Sequence, residues 1–214
     1  MRTLAFCLFV LVACHKDEHH PPSEIAANAP APSATVAQAP ATFRARFETT
    51  QGTFVVEAHR EWAPTGADRF YDLVARGFFQ NIAFFRVIDG FMAQFGVHGD
   101  PRVSAQWRVA TIPDDPPSGH SNQRGTLTFA KGGPHSRTTQ LFINLADNPR
   151  LDLMGFAPIG QIVTGMDVVD KLFKVGEGQP AGHGPAQPRV QLEGNAYLEK
   201  EYPSLDYIRS ARIE

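Results

Sequence analysis

Alternating apolar and polar residues run through the middle of the chain and predict β-strands. The segment FRARFETTQGTFVVEA (residues 43–58) alternates on both sides of Gln51-Gly52, which predicts an antiparallel hairpin with Phe43, Ala45 and Phe47 on one face. Further short apolar runs, bounded by turn-forming residues, predict more strands: IAFFRVI, FMAQFGV, GTLTFA, QLFINLA and GFAPIGQIV. The turns between these runs are too short for parallel crossovers, so the strands are expected to pair in antiparallel fashion.

Two segments have helical periodicity instead. In APTGADRFYDLVARGFF (residues 63–79), Phe70, Leu73 and Val74 share one helical face, and Thr65 is the expected N-cap. A second helix is predicted over GMDVVDKLF (residues 165–173). The pattern therefore predicts a mainly β protein: a closed or nearly closed antiparallel barrel covered by two helices, because closure removes exposed strand edges.

The first residues have the pattern of a signal peptide. Arg2 precedes an apolar run from Leu4 to Ala13 that is too short to span a bilayer as a mature helix. The sequence LVAC, which ends at Cys14, resembles the bacterial lipobox, so residues 1–13 are predicted to be removed and Cys14 to be lipidated. We then expect a protein of a bacterial cell envelope, held at a membrane through Cys14 and facing the periplasm. The alternative is an ordinary secretory signal in which Cys14 is incidental.

Residues 14–42 are rich in Ala, Pro, Ser and Thr and predict a disordered tether, because so few large apolar groups cannot offset the entropy of ordering. His15, which follows the predicted lipidation site in place of an aspartate, favours an outer-membrane destination. His15, His19 and His20 could chelate a metal, but a cluster without a shaped cavity is more often a solvated polar segment. No metal site is therefore predicted.

Composition and charge restrict the partners. The chain has 20 Lys and Arg against 22 Asp and Glu, with no basic stripe, so a nucleic-acid partner is not expected. With 43% hydrophobic residues in 214, one folded domain over residues 43–214 is predicted. The second cysteine, Cys7, lies in the segment predicted to be removed, which leaves no pair for a disulfide. We expect a monomer without a cofactor.

A permanent cation stands inside the apolar segment FFRVIDGFMAQFG (residues 84–96). Taken alone, Arg86 could point outward, with its stem on apolar neighbours and its head in water. Phe91, Met92 and Gln94 follow it closely, and Gln140 and Phe142 occur further on in TTQLFINL. Each of these residues alone is more often part of a core than of a site.

Three segments in order resemble the signature blocks of the cyclophilins, which are peptidyl-prolyl isomerases. They are FFRVIDGFMAQFG, GTLTFAKGGPHSRTTQLFINL and GFAPIGQIVTGMDVVD, and the resemblance runs from about Phe43 to about Leu192. It implies a closed eight-stranded antiparallel barrel capped by two α-helices. It also implies an enzyme that accelerates rotation about X-Pro bonds in unfolded or extended polypeptides, here extracytoplasmic ones.

The resemblance also implies the roles of individual residues. Arg86 and Gln94 would be catalytic. The substrate would contact Phe91, Met92, Ala130, Lys131, Gln140, Phe142, Leu151 and Phe156. An apolar slot for the proline ring suits this chemistry, because X-Pro rotation has a barrier of roughly 18–20 kcal/mol from amide conjugation. A guanidinium that bonds to the prolyl nitrogen as it pyramidalises would stabilise the twisted state more than the planar one.

Several positions depart from the best-known eukaryotic pattern. Phe85 and Phe156 stand where histidine is usual, and Arg150 stands where an aromatic often packs against proline and binds cyclosporin. Weak sensitivity to cyclosporin is therefore expected. The sequence DDPP (residues 114–117) predicts a rigid, solvated acidic loop rather than a metal site.

Other functions remain open at this stage. A non-catalytic proline-peptide binding module or chaperone could use the same fold, and so could a structural envelope protein. The C-terminal extension, from about residue 193, carries spaced aromatic and aliphatic residues. We expect it to fold back on the barrel, with a partner-binding tail as the alternative.

Overall fold

The computed structural model describes residues 31–32 and 38–214. The predicted signal peptide, Cys14 and the three histidines of the tether lie outside the described residues. The described contacts include a residue before the predicted domain start at residue 43. Ala39 is already buried, and its N–H donates to Asp68 Oδ1 at 2.8 Å.

One antiparallel sheet of nine strands forms the body of the protein. The strands are β1 (Thr42–Thr49), β2 (Gly52–His59), β3 (Ile82–Ala83), β4 (Arg86–Ile88), β5 (Met92–Phe95), β6 (Thr126–Phe129), β7 (Leu141–Asn144), β8 (Pro158–Thr164) and β9 (Tyr207–Ile213). Their order across the sheet is β3-β9-β1-β2-β8-β6-β7-β5-β4. The mainly β, antiparallel architecture and the hairpin at Gln51-Gly52 are confirmed.

The number of strands differs from the prediction of eight. The run IAFFRVI, predicted as one strand, is interrupted at Phe84 and Phe85. On one side of the interruption β3 pairs with β9, and on the other side β4 pairs with β5. The two edge strands of the sheet are thus neighbours in the chain. The strand β9, which the sequence pattern did not identify, pairs with β1 and folds the C-terminal extension back onto the sheet, as expected.

Six helices are present within residues 38–214, where the sequence predicted two. They are α1 (Pro64–Ala75), α2 (Pro101–Arg108), α3 (Pro149–Leu153), α4 (Met166–Asp170), α5 (Gln187–Glu193) and α6 (Asn195–Glu201). The predicted helices correspond to α1 and α4. The sequence did not predict the other four, which have five to eight residues each, and α4 itself covers only five of the nine residues predicted as helix. None of the described helices is both long and apolar enough to cross a bilayer.

The start of α1 corrects two expectations. Thr65 does not cap the helix; the N-cap is Ala63, and Pro64 occupies the first turn. The backbone N–H groups of Thr65 and Gly66 instead donate to the two carboxylate oxygens of Asp115, at 2.8 and 2.9 Å. Asp115 is therefore a buried capping group and not part of a solvated turn.

Two apolar clusters hold the structure together. The large one fills the concave side of the sheet with stacked aromatic rings, such as Phe47 and Phe54, whose centroids lie 4.9 Å apart. The smaller one joins Phe85 and Val97 to the C-terminal extension; its other members are Ala83, Val190, Tyr197, Leu198 and Leu205. The extension is thus an integral part of the domain.

Candidate active site

All ten side chains that the resemblance assigned to the site line one cavity of about 490 Å³. They are Arg86, Phe91, Met92, Gln94, Ala130, Lys131, Gln140, Phe142, Leu151 and Phe156. They come from β4, β5 and β7, from α3 and from the loops beside them. Residues up to 70 positions apart in the chain therefore face the same space.

Strand register explains how this set is assembled. Arg86 lies opposite Gln94 in the β4–β5 pair, and Gln94 lies opposite Phe142 in the β5–β7 pair. Residues directly opposite each other point to the same face, so these three form a row across three strands. Met92 and Gln140, each two positions away in its segment, extend the same face. The intervening Ala93 and Phe95 point into the large apolar cluster.

Arg86 faces the cavity. Its Nη1 donates to Gln94 Oε1 at 3.1 Å and lies 3.7 Å from Met92 Sδ. The guanidinium carbon is 5.8 Å from the centre of the Phe91 ring, within the range of a cation–π contact. The side chain is 25% exposed, so the cation sits at the wall of an apolar slot and not in bulk water.

A chain of amides fixes the orientation of Gln94. Its Oε1 accepts from Arg86, and its Nε2 donates to Gln140 Oε1 at 2.9 Å. Gln187 Nε2 donates to the same Gln140 oxygen at 3.2 Å. Because both ends of the Gln94 amide have partners, the side chain presents its oxygen to Arg86 in one defined orientation.

The remainder of the cavity is mostly apolar and aromatic. Met92 and Phe142 are nearly fully buried, and the Phe142 ring meets Phe156 edge-on at 5.8 Å. Leu151 comes from α3, and the neighbouring Met154, which is 62% exposed, adds an apolar group at the rim. Such a surface suits a small apolar ring better than a charged group.

Lys131 contributes its side chain to the cavity wall beside Phe156. Its Nζ lies 3.1 Å from Asp114 Oδ2 and 5.4 Å from the centre of the Phe156 ring. Burial alone would raise the pKa of Asp114, but hydrogen bonds from the His135 backbone and from Lys131 lower it. The anchored ammonium of Lys131 thus adds a charged group to a cavity lining that is otherwise mostly apolar.

The sequence did not identify Glu177, which lies beside Arg86 in the cavity. Glu177 Oε1 accepts from Arg86 Nε and Oε2 accepts from Arg86 Nη2, both at 2.6 Å. The pKa of Glu177 is lowered by its hydrogen bonds with Arg86 and, to a lesser degree, by the N–H of Gly178. The two residues are 91 positions apart, and no local pattern around KVGEGQP indicates the pair.

The comparisons with known proteins agree with this geometry. The family model described as cyclophilin type peptidyl-prolyl cis-trans isomerase/CLD matches residues 44–193. The chain belongs to the cyclophilin-type peptidyl-prolyl cis-trans isomerases. Its activity is accordingly the cis–trans isomerisation of peptidyl-prolyl bonds.

Bacterial cyclophilins are among its relatives. The chain is 36% identical over 145 residues to peptidyl-prolyl cis-trans isomerase B of Escherichia coli. This match covers 64% of this chain and 88% of that relative. It is 35% identical over 144 residues to the peptidyl-prolyl cis-trans isomerase of Acinetobacter baylyi, with coverage of 65% and 76%.

Solved structures show the same fold. A crystal structure of a cyclophilin type peptidyl-prolyl cis-trans isomerase from Cryptosporidium parvum has a TM-score of 0.60 and 21% identity, covering 81% of this chain and 98% of that one. A second structure of that protein, determined in the presence of the dipeptide Ala-Pro, has a TM-score of 0.59 and 21% identity, covering 80% and 98%.

The departures from the common cyclophilin pattern have different structural settings. Phe85 is only 1% exposed; it borders the cavity and also belongs to the cluster that receives the C-terminal extension. Phe156 lines the cavity, as expected. Arg150 is exposed and lies outside the cavity lining. The described residues contain no group of three or more His, Cys, Asp or Glu placed to hold a metal ion.

Proposed function

We propose that this cyclophilin isomerises X-Pro bonds in unfolded or extended polypeptides outside the cytoplasm, while a lipid on Cys14 holds it at a bacterial membrane. The support is the basic start, the short apolar run and the LVAC sequence at residues 11–14. Slow proline isomerisation limits folding wherever proteins fold, so an envelope compartment also needs this activity. The residue after Cys14 favours the outer membrane as the destination.

We infer that Arg86 is the catalytic group. The observation that carries this role is a guanidinium at the wall of an apolar slot, with Nη1 bonded to Gln94 at 3.1 Å. As the X-Pro bond twists, the prolyl nitrogen loses conjugation and becomes a better hydrogen-bond acceptor. A hydrogen bond from a guanidinium N–H to that nitrogen is therefore stronger in the twisted state than in the planar one, and this difference lowers the barrier to rotation. The step needs no nucleophile and no proton transfer.

Gln94 and the apolar side chains orient Arg86 and hold the substrate. Gln94 holds the Arg86 guanidinium and is placed to bond to the backbone of a substrate. The rings of Phe91, Phe142 and Phe156, with Met92 and Leu151, receive the proline ring and exclude water. In that low-dielectric space the field of the cation on the prolyl amide is screened less than in water.

The groove beside the slot would hold the rest of the peptide. Ala130 and Gln140 lie side by side there, since the Ala130 N–H donates to the Gln140 carbonyl at 2.9 Å. The backbone near Lys131 is proposed to pair with an extended substrate. The structure of the Cryptosporidium relative in the presence of Ala-Pro supports proline-containing peptides as ligands.

An isomerisation assay tests the role of Arg86. The full chain, purified in mild detergent, is compared with Arg86→Ala and with Arg44→Ala, which removes an exposed arginine from an ion pair outside the cavity lining. On an Ala-Pro peptide we expect Arg86→Ala to lower kcat/KM by about 100-fold, or roughly 2.7 kcal/mol. Equal rates for Arg86→Ala and the unaltered chain would remove Arg86 from the mechanism. Peptide binding without activity in any of the proteins would favour a binding module.

Fractionation tests the anchor. We expect the unaltered chain in the membrane pellet of a lipoprotein-processing bacterium and Cys14→Ala in the soluble envelope fraction. Both variants keep the apolar run that directs export, so equal distribution of the two would refute lipid anchoring. Separate recovery of inner and outer membranes tests the proposed destination.

Two finer features are part of the same proposal. The sheet is proposed to form a closed eight-stranded barrel, in which β3 and β4 count as one strand because they are joined directly through Phe84-Phe85. The two helices that cap this barrel are proposed to be α1 and α4. The domain is proposed to work as a monomer, which sedimentation at two protein concentrations tests.

A further inference from the structure

We propose that Glu177 is a positioning residue for Arg86 and that the C-terminal segment 187–206 holds Glu177 in place. This inference depends on the proposed role of Arg86, and it assigns a task to the part of the chain that carries α5 and α6.

The contact between Glu177 and Arg86 determines the direction of the guanidinium. Glu177 binds the edge formed by Nε and Nη2 in a fork of two bonds, each 2.6 Å long. Nη1, at the other end of the group, lies against Gln94 and Met92 inside the cavity. A guanidinium held at both ends cannot turn about its long, flexible stem. The carboxylate thus occupies one edge while Nη1 remains directed at the slot.

Glu177 itself is held by its own loop and by β4. The backbone N–H of Gly178 donates to Glu177 Oε1 at 2.9 Å. Gly176, just before it, donates its N–H to the carbonyl of Val87, the neighbour of Arg86, at 2.8 Å. The loop packs so tightly that a Cβ at Gly182 would lie 2.3 Å from the Glu177 carbonyl oxygen. The position of the carboxylate is therefore built into the backbone.

The C-terminal segment supports this loop with two tyrosines. Tyr202 Oη donates to the carbonyl of Gly184 at 3.1 Å and accepts from Gln179 Nε2 at 3.0 Å. Tyr197 Oη accepts from the N–H of Ala186 at 3.1 Å. Gly184 in turn donates its N–H to the carbonyl of Glu177 at 2.8 Å. A continuous set of contacts thus runs from the extension through the loop to Glu177.

A carboxylate beside the catalytic cation has two opposing effects. It orders the guanidinium, which raises the rate, and it weakens the field of the cation at the prolyl nitrogen, which lowers the rate. The geometry favours the first effect, because the carboxylate binds the edge away from Gln94 and Met92 and leaves the Nη1 end to the cavity. Removal of the negative charge should therefore slow the enzyme.

The test compares Glu177→Gln with Asp170→Asn in the full chain. Asp170 is a matched control, since both its carboxylate oxygens accept from Arg124, at 2.9 and 2.6 Å, and its side chain is 45% exposed against 40% for Glu177. It lies outside the cavity lining and outside the segment 187–206. We expect kcat/KM on an Ala-Pro peptide to fall roughly fivefold to tenfold in Glu177→Gln and less than about twofold in the control. An unchanged or higher rate in Glu177→Gln would overturn the proposal.

A pH profile separates positioning from a general loss of structure. The pKa of Glu177 is held below its ordinary value by Arg86, and protonation of Glu177 in acid should release Arg86, so kcat/KM of the unaltered chain and of the Asp170→Asn control should decline below about pH 4.5. In Glu177→Gln, kcat/KM should be low and should decline less steeply, because only the acid loss of the fold itself remains. Arg86 is the charged partner of Glu177, Tyr202 and the exposed His183 belong to the supporting loop, and Lys131, which lines the cavity, pairs with Asp114. The pKa of Asp114 is also lowered, but Asp114 is present in all three proteins and does not account for a difference between them.

A double-mutant cycle tests the part played by the extension. Tyr202→Phe removes the hydroxyl that bonds to Gly184 and Gln179 while it keeps the ring. We expect a loss of roughly twofold to threefold in kcat/KM, and no further loss when Tyr202→Phe is added to Glu177→Gln. Additive losses would show that the extension does not act through Glu177.

The activity of Arg86→Ala shows whether a negative result concerns the catalytic role of Arg86 or only the positioning role of Glu177. If Arg86→Ala keeps full activity, the proposed catalytic role is wrong and Glu177 has nothing to position. If Arg86→Ala is inactive while Glu177→Gln matches the unaltered chain, the catalytic role stands and the positioning role alone is refuted.

Discussion

Asp115 and Arg137 form a buried ion pair that joins α1 to the loop beside the active site. Arg137 Nη1 donates to Asp115 Oδ2 at 2.9 Å, and the two side chains are 4% and 1% exposed. The same carboxylate caps the first turn of α1 through the N–H groups of Thr65 and Gly66. Arg137 also donates to the carbonyl of Pro113 in the acidic loop. One buried carboxylate therefore connects three parts of the fold.

Asp115→Asn should strongly destabilise the domain. The variant leaves Arg137 with only the less buried carboxylate of Asp114, at 3.4 Å, and turns an amide N–H toward groups that are themselves donors. We expect the free energy of unfolding to fall by about 3–5 kcal/mol in urea titrations. Glu193→Gln, which opens an exposed pair, is the control. Equal unfolding midpoints for Asp115→Asn and the control would contradict this role.

Phe85→His should weaken the attachment of the C-terminal extension. Histidine is common at this position in cyclophilins, but here the ring is 1% exposed in the cluster with Val190, Tyr197 and Leu198. An imidazole in that apolar environment loses contacts and has no provided partner, so we expect a loss of about 2–4 kcal/mol. Hydrogen exchange of α5 and α6 should accelerate in the variant. Unaltered exchange there, with unchanged stability, would show that Phe85 does not hold the extension.

Acid should destabilise the fold through carboxylates such as Asp152. Burial alone would raise the pKa of Asp152, but hydrogen bonds from Ser121 and Asn122 lower it below 3.8. The unfolded chain therefore takes up the proton first. The stabilisation is complete above about pH 5 and is lost as pH falls through the folded-state pKa.

Unfolding titrations between about pH 6 and pH 2 measure this effect. We expect Asp152→Asn to be less stable than the unaltered chain at pH 6 and to depend less on pH below 5. Asp167→Asn, at a side chain that is 77% exposed, is the control. A slope in Asp152→Asn as steep as in the control would refute the assignment.

Cyclosporin should inhibit this cyclophilin weakly. Arg150 is exposed and lies outside the cavity lining, in the place where an aromatic ring often contributes to drug binding. Arg150→Trp should add apolar contact and tighten inhibition by roughly tenfold. An inhibition constant for the unaltered chain that equals that of a drug-sensitive cyclophilin would contradict the prediction.

The sequence by itself determined the strand-rich core, the first hairpin and the helices α1 and α4, and its resemblance to the cyclophilins assigned Arg86, Gln94 and Phe142 to one site. These features depend on local periodicity and on motifs, which are contained in short segments. Residues such as Arg86 and Gln94 are eight positions apart, and a hairpin brings them together.

Tertiary structure alone decided the partners that come from far along the chain. Asp115 caps α1 from 49 to 50 positions away in place of Thr65, and Glu177 reaches Arg86 across 91 positions. Phe85 is buried because an extension more than 100 residues later covers it. Such contacts leave no periodic signal, since each depends on where separate segments meet in space and not on the residues beside it.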